Sequence, residues 1–316
     1  MLYVHGALFV TGDAWTHGAF SGEVLVQLYN VLIWGAQYRL GVFGFLALEE
    51  LREEVPTQHT GNYGLLDLRA LLKWIAKNAA AFGSTNRHLV IWGGWVDGSV
   101  SICCHVVSRA SSGMYAGAIL QGTGCTWNQE RAERMKRQSS VEIARGPDFE
   151  TCAGTTVFYK SKQGLPCLRS MRYMILARFA CDLDPYLAAM SALGTGLSLD
   201  LAWLAGQLDG HSMRLLCFLG WPTVDGSEVG LPDHPLRLLG KQKLNMVTLI
   251  VAASLLGDLS LLCDAVRLVT LLLAIGTPVS QYAIKKLGSL VLTVGLDTCY
   301  AFTTINSVWV VLPAHT

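Results

Sequence analysis

Apolar and polar residues alternate along the chain in blocks that predict strands and helices in turn. Leu2 to Val4, Asn30 to Ile33 and Leu89 to Trp92 are short apolar runs that predict strands. From Leu65 to Asn78 the apolar residues recur at a spacing near 3.6, which predicts an amphipathic helix. Ser99 to Val107 is again apolar and predicts a second helix.

Two later runs extend this pattern, since Ala116 to Leu120 and Val247 to Ala252 predict further buried strands. Strands that alternate with helices predict an α/β protein with a mostly parallel sheet and helices on both faces. Glu49 to His59 is polar and contains Pro56, so it is interpreted as a loop. Because no repeat or low-complexity linker marks a boundary, residues 1–316 are interpreted as a single domain.

The composition indicates a chain that is mostly interior. Charged residues make up 15% of the chain, against about 25% in typical soluble domains. Such a chain is the core portion of a larger protein, or it exposes apolar surface that favours a protein partner, a membrane or aggregation. The net charge of +1 and the lack of a basic stripe argue against nucleic-acid binding.

The sequence predicts neither a membrane span nor a bound cofactor. The apolar region Val247 to Ile275 is interrupted by Asp258, Asp264 and Arg267, so no transmembrane helix is expected. Met1 is followed at once by a strand-like run, so no secretory signal is predicted there. No glycine-rich phosphate-binding motif is present, and no metal or cofactor is expected.

The candidate chemistry lies at Gly93 to Asp97, where a strand, a glycine-rich turn and a helix are predicted to follow one another. This is the context of a nucleophile elbow, Gly-x-Ser-x-Gly, in which a serine attacks an ester carbonyl. Trp95 takes the serine position, and an indole N–H is only a hydrogen-bond donor. Asp97 takes the position of the last glycine. Because a bulky residue in so tight a turn is costly, we expect the turn to relax or Trp95 to fill the pocket.

Several stretches together resemble the type-B carboxylesterases, the family of cholinesterases, bile-salt-activated lipase and neuroligins. His5 to Gly12 resembles the His-Gly-Gly-Gly-Phe oxyanion loop of that family. Tyr38 to Leu46 and Gly61 to Asp67 are close to family segments residue by residue. Pro222 to Gly226 and Leu231 to Leu236 resemble the segment before the acidic member of the catalytic triad. The resemblance implies an α/β-hydrolase fold, here incomplete at the N-terminus.

The resemblance covers roughly residues 1 to 260. It also implies which residue of this chain stands at each position of the family's hydrolytic site. The oxyanion loop keeps its first glycine and has Ala7 and Leu8 for the next two. A working serine triad is therefore not expected. The family positions are the nucleophile slot Trp95, the acid slot Gly257 or its neighbour Asp258, the base slot His315, and the oxyanion-loop positions Gly6, Ala7 and Val96.

The family also carries a disulfide loop, which the resemblance places at Cys152 and Cys167. The odd total of nine cysteines leaves at least one of them unpaired. The family and its disulfide loop imply a secreted protein or one of the secretory pathway, although the chain shows no signal peptide.

Three functions are compatible with these residues. The favoured hypothesis is a carboxylesterase-like protein that is catalytically inactive and has a binding or adhesion role, by analogy with the neuroligins. The second is an ester hydrolase with residual activity through a non-standard serine, Ser99 or Ser101, of which Ser101 shares a helical face with His105. The third is a truncated or degenerate product without a function of its own.

Overall fold

The computed structural model describes residues 1–6, 9–10, 12–14, 22–84, 88–121, 125, 164–172, 221–241, 248–253 and 279–283. Within these ranges, the strands form one sheet in which every neighbouring pair is parallel. The predicted mostly parallel sheet is therefore confirmed. The strands are β1 (Leu2–Val4), β2 (Trp34–Ala36), β3 (Val90–Gly94), β4 (Gly117–Gln121), β5 (Thr248–Ala253) and β6 (Val279–Ala283).

Helices connect and cover these strands. The predicted amphipathic helix is α4, and the predicted second helix is α5, which begins four residues earlier than the apolar run indicates. None of the described helices is both long and apolar enough to span a bilayer. The helices are α1 (Glu23–Tyr29), α2 (Gly41–Phe45), α3 (Glu49–Glu53), α4 (Tyr63–Asn78), α5 (Trp95–Val107), α6 (Gly164–Ser170) and α7 (Pro235–Leu239).

The strand order is β2-β1-β3-β4-β5-β6, so the chain must cross over β1 to pass from β2 to β3. Tyr3 of β1 lies opposite Gly35 of β2 on one side and Trp92 of β3 on the other. In open parallel sheets, ligands bind in the crevice at the carboxyl ends of the strands where the winding direction changes. This rule places the candidate site at the carboxyl ends of β1 and β3.

Glycines bring α5 unusually close to the sheet. A Cβ atom on Gly93 would overlap the Gly98 carbonyl, and a Cβ atom on Gly98 would lie 2.6 Å from the carbonyl oxygen of Val4. Only a residue without a side chain allows this approach of two backbones. The first turn of α5 is therefore fixed against β1 and β3, next to the crevice.

The predicted strand at Asn30 to Ile33 is wrong. Asn30 ends α1 in a left-handed conformation with φ 48°, and the strand begins only at Trp34. The Trp34 N–H donates to the Met1 carbonyl at 2.9 Å, at the start of the pairing with β1. Pairing with a neighbour, and not apolarity alone, sets where this strand starts.

The predicted loop at Glu49 to His59 is also wrong for its first five residues, which form α3. Glutamates in the first turn and Arg52 in the last turn complement the helix dipole. A helix of five residues is too short to show an apolar period, so the sequence pattern misses it.

Buried polar contacts join two of the family-like segments. The side-chain amide of Asn62 donates to the Thr223 carbonyl at 2.8 Å, and the Thr223 N–H donates back to Asn62 Oδ1 at 2.9 Å. Asp225 is fully buried nearby and accepts the Thr60 N–H at 3.0 Å. These bonds fasten the chain before α4 to the chain before α7.

A disulfide that the sequence analysis did not predict joins Cys103 of α5 to Cys125, with 5.5 Å between the Cα atoms. Cys103 lies in an apolar helical run, where its spacing is also that of a core residue. Cys104 is a buried free thiol. Cys167 is disulfide-bonded, but Cys152 lies outside the described residues, so their pairing stays a prediction.

We expect the double substitution Cys103→Ala, Cys125→Ala to lower the free energy of unfolding by about 3 kcal/mol. The disulfide closes a loop with a sequence separation of 22 residues, and it limits the freedom of the unfolded chain. Urea denaturation of the variant measures this, with Cys104→Ala as the matched control for loss of a buried sulfur. A double variant as stable as Cys104→Ala would contradict the expectation.

Candidate functional site

The candidate site begins where β3 passes directly into α5. Trp95 is the first residue of α5, and Gly94 before it is extended, with φ −89° and ψ 148°. A Cβ atom on Gly94 would lie 2.6 Å from the Tyr3 hydroxyl, so any larger residue at this position would have to displace the Tyr3 ring. The strand and helix that the sequence analysis expects on either side of a nucleophile elbow are thus present, and they meet at Trp95. The resemblance assigns Trp95 to the nucleophile slot and Val96, the second residue of α5, to the oxyanion site, and both assignments stay predictions.

The loop after β1 lies beside this elbow. Gly6 follows β1 within two residues, whereas Ala7 and Leu8 lie outside the described residues. Phe9 is fully buried and has a left-handed backbone with φ 61°. Its ring packs edge-on against Phe45 and Trp221, with centroid distances of 4.7 and 5.3 Å.

Asp97 links the elbow to this loop. Its side chain is only 1% exposed, and Asp97 Oδ2 accepts the Phe9 N–H at 2.9 Å. The sequence identifies Asp97 only as a departure from the glycine of the elbow, whereas the structure shows that it holds the loop. A buried carboxylate needs such a donor, because an unpaired charge in the interior is very costly.

Two tyrosines lie near Asp97, and the sequence analysis did not identify a role for either of them. The Tyr38 hydroxyl donates to the His5 carbonyl at 2.9 Å, and the Tyr38 and His5 rings are 4.8 Å apart. Burial, and then the negative charge of Asp97, raises the pKa of both Tyr3 and Tyr38. These phenols therefore stay protonated and are able to donate hydrogen bonds.

The two serines proposed as non-standard nucleophiles are both fully buried on α5. Ser99 Oγ donates to the Gly93 carbonyl at 3.2 Å, so it stabilises the elbow backbone. Ser101 Oγ makes no hydrogen bond with His105, although both lie on the helical face that the sequence predicts. The His105 ring nitrogen Nδ1 instead bonds Ser111 Oγ at 2.9 Å.

A buried cation lies close to His105. Arg69 Nε donates to Ser111 Oγ at 3.1 Å, and the same hydroxyl is hydrogen-bonded to His105 Nδ1 at 2.9 Å. A positive charge on the other side of this hydroxyl disfavours a second positive charge on the imidazole. Burial, and then the charge of Arg69, lowers the pKa of His105 to about 3. His105 is only 2% exposed, so we interpret it as a structural residue.

The remaining family positions cannot be placed. Gly257, Asp258 and His315 lie outside the described residues, so their roles as acid and base slots stay predictions. Across the residues that the structure describes, no group of His, Cys, Asp and Glu is arranged to hold a metal ion.

The parallel sheet, the elbow at the change in winding direction and the loop beside it define an α/β-hydrolase fold. The structure superposes on that of a PNB esterase with a TM-score of 0.56 and 23% identity, over 80% of this chain and 44% of the other. The family model described as the carboxylesterase family matches residues 1–255. The chain belongs to the carboxylesterase family.

Similar proteins include both named esterases and a neuroligin. Cocaine esterase of Oryctolagus cuniculus is 36% identical over 122 residues, which is 38% of this chain and 21% of that protein. Neuroligin-3 of Mus musculus is 33% identical over 121 residues, which is 38% of this chain and 14% of that protein. The matched segment thus spans about a fifth or less of these relatives.

Proposed function

We propose that this chain is a catalytically inactive member of the carboxylesterase family with a protein-binding role. The observation that carries the proposal is Trp95, at the position of the nucleophile where β3 meets α5. Indole offers no oxygen or sulfur that a base could activate. In a comparable serine triad, loss of the nucleophile lowers kcat by about 10⁶.

Asp97 is a second obstacle to ester hydrolysis. Hydrolysis develops negative charge on the substrate oxygen, and an active site stabilises that charge with aimed N–H donors. A buried carboxylate in the first turn of α5 has the opposite effect, because like charges repel strongly where water is excluded. Asp97 also occupies the Phe9 N–H in the adjoining loop. A serine restored at position 95 would therefore still face an unfavourable field.

The alternatives gain less support from the structure. Hydrolysis through Ser99 or Ser101 requires a hydroxyl that an ester can reach, and both are fully buried. A degenerate product without its own function is at odds with the reciprocal bonds between Asn62 and Thr223 and the satisfied carboxylate of Asp225. Buried polar contacts of this kind specify one packed arrangement.

The binding role rests on analogy with the similar neuroligin-3 and on the apolar composition of the chain, 52% of its residues. We further propose that the protein belongs to an oxidising compartment, as in the secretory route. The disulfide between Cys103 and Cys125 and the bonded state of Cys167 support this, because disulfides persist in such compartments.

A fluorophosphonate probe tests whether any serine of the chain is an activated nucleophile. We expect no labelling of the folded, monodisperse protein, because its elbow carries Trp95 and the next two serines are buried. Peptide mass mapping of the treated protein measures this, with an active serine esterase labelled in parallel. Stoichiometric labelling of Ser99 or Ser101 would establish the residual esterase instead.

A further inference from the structure

Three aromatic side chains form a surface patch at the end of α4. We call Trp34, Trp74 and Phe82 the aromatic patch. The Phe82 ring lies between the other two, with centroid distances of 6.4 Å to Trp34 and 5.9 Å to Trp74. Trp74 is 45% exposed and Phe82 is 53% exposed, while Trp34 also packs against the core. Exposed apolar side chains that cluster mark interaction sites more often than isolated ones do.

Two lysines flank the aromatic patch on α4. Lys73 and Lys77 are exposed four residues apart on one face of α4, and Lys77 lies about one turn after the exposed Trp74. Neither lysine forms an ion pair with any carboxylate in the described part of the chain. The patch therefore combines exposed aromatic surface with positive charge that is not neutralised.

We propose that the aromatic patch is a docking surface for a lipid bilayer that contains anionic phospholipid. Tryptophan and phenylalanine rings favour the boundary between headgroups and acyl chains. Lysines beside them are attracted to the negative surface of such a bilayer. An acidic protein would also attract lysines, but the combination of indole, phenyl and ammonium groups fits a bilayer interface best.

The position of the patch in the fold agrees with this role. Trp34 opens β2 and pairs with Leu2 at the start of β1, so it lies at the amino ends of the strands. The elbow and the loop that holds Phe9 lie at the carboxyl ends. A protein docked through the aromatic patch would therefore direct its crevice away from the bilayer. This inference does not depend on the absence of catalysis.

Vesicle sedimentation tests the proposal with the full chain and two double variants. The vesicles contain phosphatidylcholine alone or phosphatidylcholine and phosphatidylserine at a ratio of about three to one. We expect the parent to bind the anionic vesicles. Trp74→Ala with Phe82→Ala, and Lys73→Gln with Lys77→Gln, should each bind about tenfold more weakly. Phe43→Ala is the matched control, since Phe43 is 42% exposed on α2 and lies outside the patch.

Thermal unfolding of each variant shows that it is folded before its binding is compared. Trp34 is left unchanged because it also packs against the core. Binding that is equal on the two kinds of vesicle, or equal for the parent and both double variants, would overturn the proposal. A parent protein that binds neither kind of vesicle would also overturn it. If that protein self-associates and the association is lost with Trp74→Ala and Phe82→Ala, the patch is an interface between copies of the chain and not a bilayer-docking surface.

Discussion

Replacing Asp225 with alanine is expected to lower the free energy of unfolding by about 4 kcal/mol. The carboxylate accepts three backbone N–H groups, from Thr60, Ser227 and Leu231, each at 3.0 Å, and the Ser227 hydroxyl as well. The substitution leaves those donors buried without an acceptor, and each loses its hydrogen bond without regaining water. Chemical denaturation of the parent and the variant measures the loss.

Asp233→Ala is the matched control for this substitution. Asp233 also accepts several hydrogen bonds, here from Arg237 and Lys241, but its carboxylate is partly exposed. Surface ion pairs of this kind contribute about 1 kcal/mol or less. Equal losses for Asp225→Ala and Asp233→Ala would show that the buried contact between the two family-like segments does not stabilise the fold.

His105 is expected to make the protein sensitive to moderate acid. Burial and Arg69 lower the pKa of His105 from 6.5 to about 3 in the folded protein. Between these values the unfolded chain binds a proton that the folded chain does not, so the free energy of unfolding falls as the pH falls. From pH 7 to pH 4.5 the loss due to His105 should be about 2.5 kcal/mol. The stabilisation that the neutral imidazole contributes to the folded protein is fully present above pH 6.5 and is lost as the pH falls toward 3.

The variant His105→Gln isolates this contribution, because a glutamine amide still accepts a hydrogen bond and does not titrate. Other titrating groups act equally in parent and variant, so they cancel in the difference between the two pH profiles. Urea denaturation at pH 7 and pH 4.5 gives that difference. If the free energy of unfolding changes equally with pH in the parent and in His105→Gln, the expectation is contradicted. His105 would then be open to water or protonated in the folded protein.

The sequence predicts the strands and helices around the site well, because each is set by residues that are close together in the chain. Examples are the 3.6 spacing in α4, the short apolar runs of β1 and β3 and the glycines at 93 and 94. Together with the family-like segments, these patterns predict the fold class and place Trp95 at the junction of β3 and α5. The parallel sheet and the family match confirm the fold class and family membership.

The contacts within the site could not be predicted in the same way, because they join residues far apart in sequence. The bond from the Phe9 N–H to Asp97 spans 88 residues, and the Tyr38 bond to the His5 carbonyl spans 33. The disulfide from Cys103 also depends on how α5 lies against the chain after β4. Local patterns do not show which distant residues pair. The sequence does show an unusual residue at one of these contacts, because Asp97 stands where the elbow motif has glycine.

Steady-state hydrolysis of p-nitrophenyl butyrate tests the proposed lack of catalysis most directly, when the parent is measured beside Trp95→Ser. We predict no turnover above the uncatalysed rate in the parent. We predict none in the variant, since Asp97 still lies buried beside the elbow. Turnover by the parent that a serine-directed inhibitor abolishes would contradict the account, and turnover by Trp95→Ser alone would contradict the role given to Asp97.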